Sequence, residues 1–138
     1  MNAATTLPQH LTATASRDRR IGAVLGGLGV LFLAFDAIVK LLQLQVAVET
    51  TMQLGYPSHV IPMLGMLQLV CLVLYVVPRT AVLGAVLWTG YLGGAIATHV
   101  RVESPLFSHT LFPVYIAALL WLSLWFRDQR LRALLPLS

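Results

Sequence analysis

Four apolar runs, each about as long as a bilayer is thick, limit what this chain can become more than any other feature. They cover about residues 21–43, 59–77, 80–100 and 109–126. A helix rises ~1.5 Å per residue, so about 20 apolar residues cross the ~30 Å hydrocarbon layer. Composition agrees, with 58% hydrophobic and 10% charged residues and a mean hydropathy of +0.82, outside the range of soluble domains. The expected fold class is all-α, a polytopic membrane protein built as a four-transmembrane-helix bundle.

The boundaries follow from local chemistry. Residues 1–20 read as a flexible cytoplasmic tail, rich in Ala, Thr and Ser and closed by Arg17, Asp18, Arg19 and Arg20, because such a composition buries little apolar surface. Residues 21–138 form one transmembrane domain. The first run exceeds a signal-peptide core and no small-residue cleavage site follows it, so it is retained as a span. Pro78 and Arg79 stop the second run, since proline lacks the donor a continuing helix needs, and the third begins at once as a tight hairpin. Arg17, Arg19, Arg20, Arg79, Arg127, Arg130 and Arg132 fall on one side, against Lys40 and Arg101 on the other. Cytoplasmic loops carry the excess of Lys and Arg, which predicts both termini inside, in the inner or plasma membrane.

The net charge is +4 and the pI about 9.8, yet the basic residues sit beside apolar runs and form no stripe with interleaved aromatics. A membrane surface accounts for them and nucleic acid does not. The single cysteine, Cys71, excludes an intramolecular disulfide, a CxxC redox pair and a cysteine-based zinc site. His99, His109 and Glu103 match no established ligand spacing, so no metal site is expected.

The residues able to do chemistry gather near one end. Asp36 and Lys40 lie four apart in span one and share a helix face, with the acid N-terminal to the base as the better orientation. A charge inside a bilayer costs about 2.5–3.5 kcal/mol on translocon scales, so such residues face the bundle interior and mark function, or else form an ion pair that only fixes packing. Tyr91, Gly94, Thr98 and Arg101 make one continuous face of span three, with His99 about 100° around it. Tyr56 falls in the first connecting loop, and Gln68, midway along span two, can hydrogen-bond across helices. Asp36, Lys40, His99 and Arg101 are the candidate catalytic residues, and Tyr56, Gln68, Tyr91 and Thr98 the candidate ligand-binding ones. The small-xxx-small pairs Gly22/Gly26 and Gly90/Gly94 allow spans one and three to pack together, each to serve a dimer, or ordinary bundle packing.

The stretches AFDAIVKLLQ (34–43), QLGYP (53–57), VPRTAVLGA (77–85) and GYLGGAIATHVR (90–101) resemble the bacterial DoxX-like family of four-helix membrane proteins, over about residues 21–135. The resemblance implies a small membrane protein of a family associated with thiosulfate oxidation, quinone reduction and oxidative-stress complexes. It makes Lys40, Tyr56, His99 and Arg101 characteristic positions. Gln68 departs from it, standing where related sequences often carry Glu, which removes a mid-membrane acid.

Three functional classes fit these residues. In the first, a polar pocket at the outer mouth binds a lipophilic small molecule, a quinone or a lipid, within a redox system. No nucleotide loop, haem motif or flavin fingerprint is encoded, so the electron carrier is a partner protein or the quinone itself. In the second, the same residues perform acid–base catalysis without a cofactor, as an isomerase, a cyclase or an epoxide-opening enzyme on an isoprenoid-like substrate. The third is a non-catalytic scaffold or assembly factor. Membrane lipids, a redox partner and further copies of the chain are the expected partners. A transporter fits less well, since no internal repeat or broken-helix pair is present.

Overall fold

A computed structural model describes residues 9–134, and those residues are helical almost throughout. Helix α1 covers Gln9–Leu41 and α2 covers Gln45–Gln53. A 3-10 turn, Ser58–Val60, leads into α3, Ile61–Val76, and α4 covers Ala81–Arg101. A π-helical turn, Leu106–Thr110, then leads into α5, Phe112–Arg127, followed by α6, Gln129–Leu134. Among the described residues four stretches are long and apolar enough to cross a membrane: Ser16–Leu41, Ser58–Val76, Ala81–Arg101 and Leu106–Arg127.

Helix α1 starts twelve residues before the span expected at 21, so residues 9–20, read as part of a flexible tail, are helical; residues 1–8 lie outside the described part. The physical reason is local. No glycine or proline interrupts 9–20, and arginine is a good helix former, so a helix nucleated in the apolar run propagates outward at little cost. At ~1.5 Å per residue the 33 residues of α1 extend about 50 Å, well beyond a ~30 Å hydrocarbon layer. Its N-terminal turns, up to Arg17, Arg19 and Arg20, therefore project past the apolar part.

The spans form a ring in which α1 packs on α3 and α5, and α4 packs on the same two helices. Helices α1 and α4 stand at opposite corners, so spans one and three do not pair directly, as the glycine spacing had allowed. Gly22 and Gly26 face α5 instead: a methyl at Gly22 would lie 2.9 Å from the Ser123 carbonyl oxygen, and one at Gly26 would overlap Ser123 Oγ. The close approach is used, because Ser123 Oγ donates to the Gly22 carbonyl at 2.7 Å. Gly90, Gly93 and Gly94 have nothing within 4 Å of where a methyl would sit. They open space and mediate no helix contact.

Trp88, Tyr75, Leu120, Ile116, Leu33 and Leu92 form the centre of the core, and Tyr75 Oη donates to the Leu120 carbonyl at 2.9 Å. A belt of apolar residues points outward, including Leu31, Phe35, Met63, Val73 and Val86, each more than half exposed. On a soluble protein so broad an apolar surface would be a liability. In a bilayer it is the solvated face. The chain is a multi-pass membrane protein.

Candidate functional site

Several polar residues of the spans meet toward the end of the bundle that carries α2. There the last two turns of α1 present Asp36 and Lys40 on one face, and the Lys40 ammonium pairs with Asp36 Oδ2. The same oxygen accepts a hydrogen bond from Gln68 Nε2 on α3. Asp36 is thus held by a charged donor on its own helix and a neutral one on the next, which offsets the cost of placing a carboxylate in low dielectric. Gln68 is fully buried, and its Oε1 has no partner among the described residues.

Facing this group from the opposite corner, α4 contributes Tyr91, Thr98 and His99. Thr98 Oγ1 donates to the Gly94 carbonyl at 2.9 Å and lies 3.0 Å from Tyr56 Oη. Tyr56 follows α2, so this contact pins the connection between α1 and α3 onto the end of α4. His99 Nδ1 is 3.0 Å from Ser104 Oγ in the turn after α4, leaving Nε2 as the ring atom able to exchange a proton. The rings of His99 and His109 meet edge to face at 5.9 Å, and among the described residues no three metal-ligating side chains converge.

Between the two corners lies a cavity of about 390 Å³. Asp36, Lys40, Tyr56, Gln68, Tyr91, Thr98 and His99 supply its polar wall, and Phe32, Leu64, Leu67, Phe112 and Ile116 supply apolar surface. The volume falls within the ~300–1,000 Å³ of small-molecule sites, which are mostly apolar with a few convergent polar groups. Seven of the eight site residues expected from the sequence therefore line one space. Spans one and three do not touch in order to make it; they enclose it.

Arg101 is the exception. Its Nη2 donates to the Leu54 carbonyl at 2.6 Å, across the face of Gly55. Gly55 has φ +86°, and a methyl there would lie 2.9 Å from Arg101 Nη2, so glycine serves both the turn and the arginine's passage. Expected among the catalytic residues, Arg101 instead lies outside the cavity wall, with its guanidinium bonded to a loop carbonyl. Sequence reasoning also missed the apolar wall from Phe112, Pro113 and Ile116 and the gap left by Gly90 and Gly94. The wall carries no polar signal, but a glycine pair four apart on the face bearing Thr98 is a legible sign of a face without side chains.

The chain was compared with curated proteins and with solved structures, and nothing matches it significantly in either set. A family model described as the DoxX-like family matches residues 24–123. The match begins in α1 and ends in α5, so it takes in the whole cavity, and the chain belongs to the DoxX-like family.

Proposed function

We propose that the cavity receives the polar head of a lipophilic small molecule, a quinone or a related isoprenoid lipid, and that the protein serves as the membrane subunit of a redox system. One observation carries this reading: a carboxylate–ammonium pair, Asp36 and Lys40, lines an otherwise largely apolar cavity within the spans. Lys40 has N–H groups to spare for a carbonyl or developing oxyanion of the bound head, and such donors count for more in a site that excludes water. Asp36 and His99 Nε2 are the groups able to pass protons to or from it. A quinone supplies the electron-accepting chemistry that this chain's own side chains lack, with the electrons coming from a partner protein. The excess of arginine at the opposite end supports an orientation with both termini in the cytoplasm and the cavity near the outer surface of the inner or plasma membrane.

Mass spectrometry of the protein extracted gently with its surrounding lipid tests the reading. A quinone or isoprenoid retained one to one, and lost from Lys40→Met and Gly94→Leu variants that keep their helicity, is the expected result. Bulk phospholipid alone, unchanged in both variants, would overturn it. Turnover of an isoprenoid-like substrate by the purified chain without any partner would instead favour the cofactor-independent acid–base enzyme, for which the same pair suffices.

A further inference from the structure

At the opposite end of the bundle a second cleft, of about 840 Å³, opens between residues 16–23 of α1, the α3–α4 turn and the junction of α5 and α6. Arg19, Arg20, Arg127 and Arg132 line it, with Asp128. Two of these charges are already committed. Arg132 pairs through Nη1 with Asp18 Oδ2 at 3.2 Å and donates through Nε and Nη2 to the Trp125 and Phe126 carbonyls, while Asp128 Oδ1 accepts the Arg130 backbone N–H at 2.8 Å. Arg19, Arg20 and Arg127 take part in no ion pair among the described residues. Three guanidinium groups free of ion pairs among the described residues therefore line one cleft, with Asp128 the one carboxylate in its wall and Asp18 held by Arg132.

A groove of about 430 Å³ shares Arg19, Ala23 and Arg127 with this cleft. It runs from there along Gly26, Gly27 and Val30 of α1 and Tyr75 and Val76 of α3. From Arg19 to Val30 it follows α1 for about 16 Å at ~1.5 Å per residue, toward the middle of the hydrocarbon layer. Gly27 keeps it open, since a methyl there would meet nothing within 4 Å. A cationic cleft at the end of the spans, continuous with an apolar groove that descends between two of them, has the shape and polarity of one lipid molecule.

We infer that this end of the bundle holds an anionic phospholipid, its phosphate among Arg19, Arg20 and Arg127 and an acyl chain along the α1–α3 groove. Guanidinium groups bind phosphate oxygens through paired N–H donors, and basic pockets between spans on the cytoplasmic side are the recurrent form of such sites. The inference is independent of the cavity beside Asp36, which lies at the other end.

Native mass spectrometry of the full chain in detergent micelles, titrated with phosphatidylglycerol or with phosphatidylcholine of the same chain length, tests it. One tightly held phosphatidylglycerol is expected, with at least tenfold weaker retention of phosphatidylcholine. Arg19→Gln/Arg127→Gln is expected to weaken phosphatidylglycerol at least tenfold. Gly27→Leu, which adds a side chain in the groove where a Cβ meets nothing within 4 Å, should do the same while leaving all four arginines in place. Arg79→Gln/Arg130→Gln, at the same end but outside the cleft, should change retention less than twofold. Equal loss in that control pair would overturn the site in favour of diffuse surface charge. Unchanged binding in both cleft and groove variants would also overturn it. Glycerol 3-phosphate or inorganic phosphate binding as tightly as the lipid would replace it with a site for a soluble anion.

Discussion

Gln68 donates its amide N–H to the same Asp36 oxygen that the Lys40 ammonium holds, so one carboxylate oxygen joins α1 to α3 beside the cavity. Removing a single charge from such a group leaves the other uncompensated, whereas removing both leaves a neutral site. Lys40→Met and Asp36→Asn should each lower the thermal midpoint in micelles, and the double variant should recover much of the loss. The expected coupling in a double-mutant cycle is about 0.5–3 kcal/mol. Additive losses would show that the pair contributes nothing to stability.

The two glycine pairs should respond oppositely to the same substitution. Gly26→Leu drives a side chain into Ser123, against which α1 is already in contact, and overpacking of this kind costs about 1–3 kcal/mol. Gly94→Leu enters open space on the cavity wall, so unfolding should be little changed while retention of a cavity ligand is lost. Thermal unfolding and ligand extraction on the same two variants check both halves. A severe loss of stability at Gly94 would mean that this glycine packs against another copy of the chain.

These contrasts mark how far the sequence could be read. Spans were legible because apolar runs of bilayer length have few alternatives, and Asp36 with Lys40 was legible because four residues put both on one face. Helix α2 was not: Gln45–Gln53 shows little apolar periodicity, and its docking rests on Arg101 reaching the Leu54 carbonyl and on Tyr56 reaching Thr98, contacts 47 and 42 residues apart in sequence. For the same reason Arg101 looked like a pocket residue. Its position on the face with Thr98 was correct, but no pattern in the chain shows which carbonyl a long side chain will find. The ring order, with α1 diagonal to α4, likewise depends on which glycines meet a neighbour and which do not, and spacing alone is identical in the two cases.

The Tyr56–Thr98 contact predicts a local effect. Tyr56→Phe removes one hydrogen bond worth about 0.5–1.5 kcal/mol, and the segment it pins is α2 with its following turn. Hydrogen–deuterium exchange should quicken in residues 45–60 and stay unchanged in α5. Arg101→Gln should give the same pattern more strongly, because a charged donor to a loop carbonyl is replaced by a shorter neutral one. Protection lost equally in all four spans would mean that the contact supports the whole bundle.

Gln68 yields the sharpest separation between stability and binding. Its Nε2 supports Asp36, but its buried Oε1 has no partner among the described residues, and an unsatisfied buried acceptor costs about 1–3 kcal/mol. Gln68→Met removes the supporting donor and the orphaned acceptor together while keeping an unbranched side chain of similar length. The two effects oppose each other, so unfolding of ligand-free protein should shift by less than about 1 kcal/mol. Binding should respond differently, since Asp36 then keeps only Lys40 and is less firmly aimed into the cavity. A variant that unfolds like the parent yet retains a quinone or isoprenoid at least tenfold less well would place Gln68 among the residues that position the site. Unchanged retention would reduce it to a link between α1 and α3.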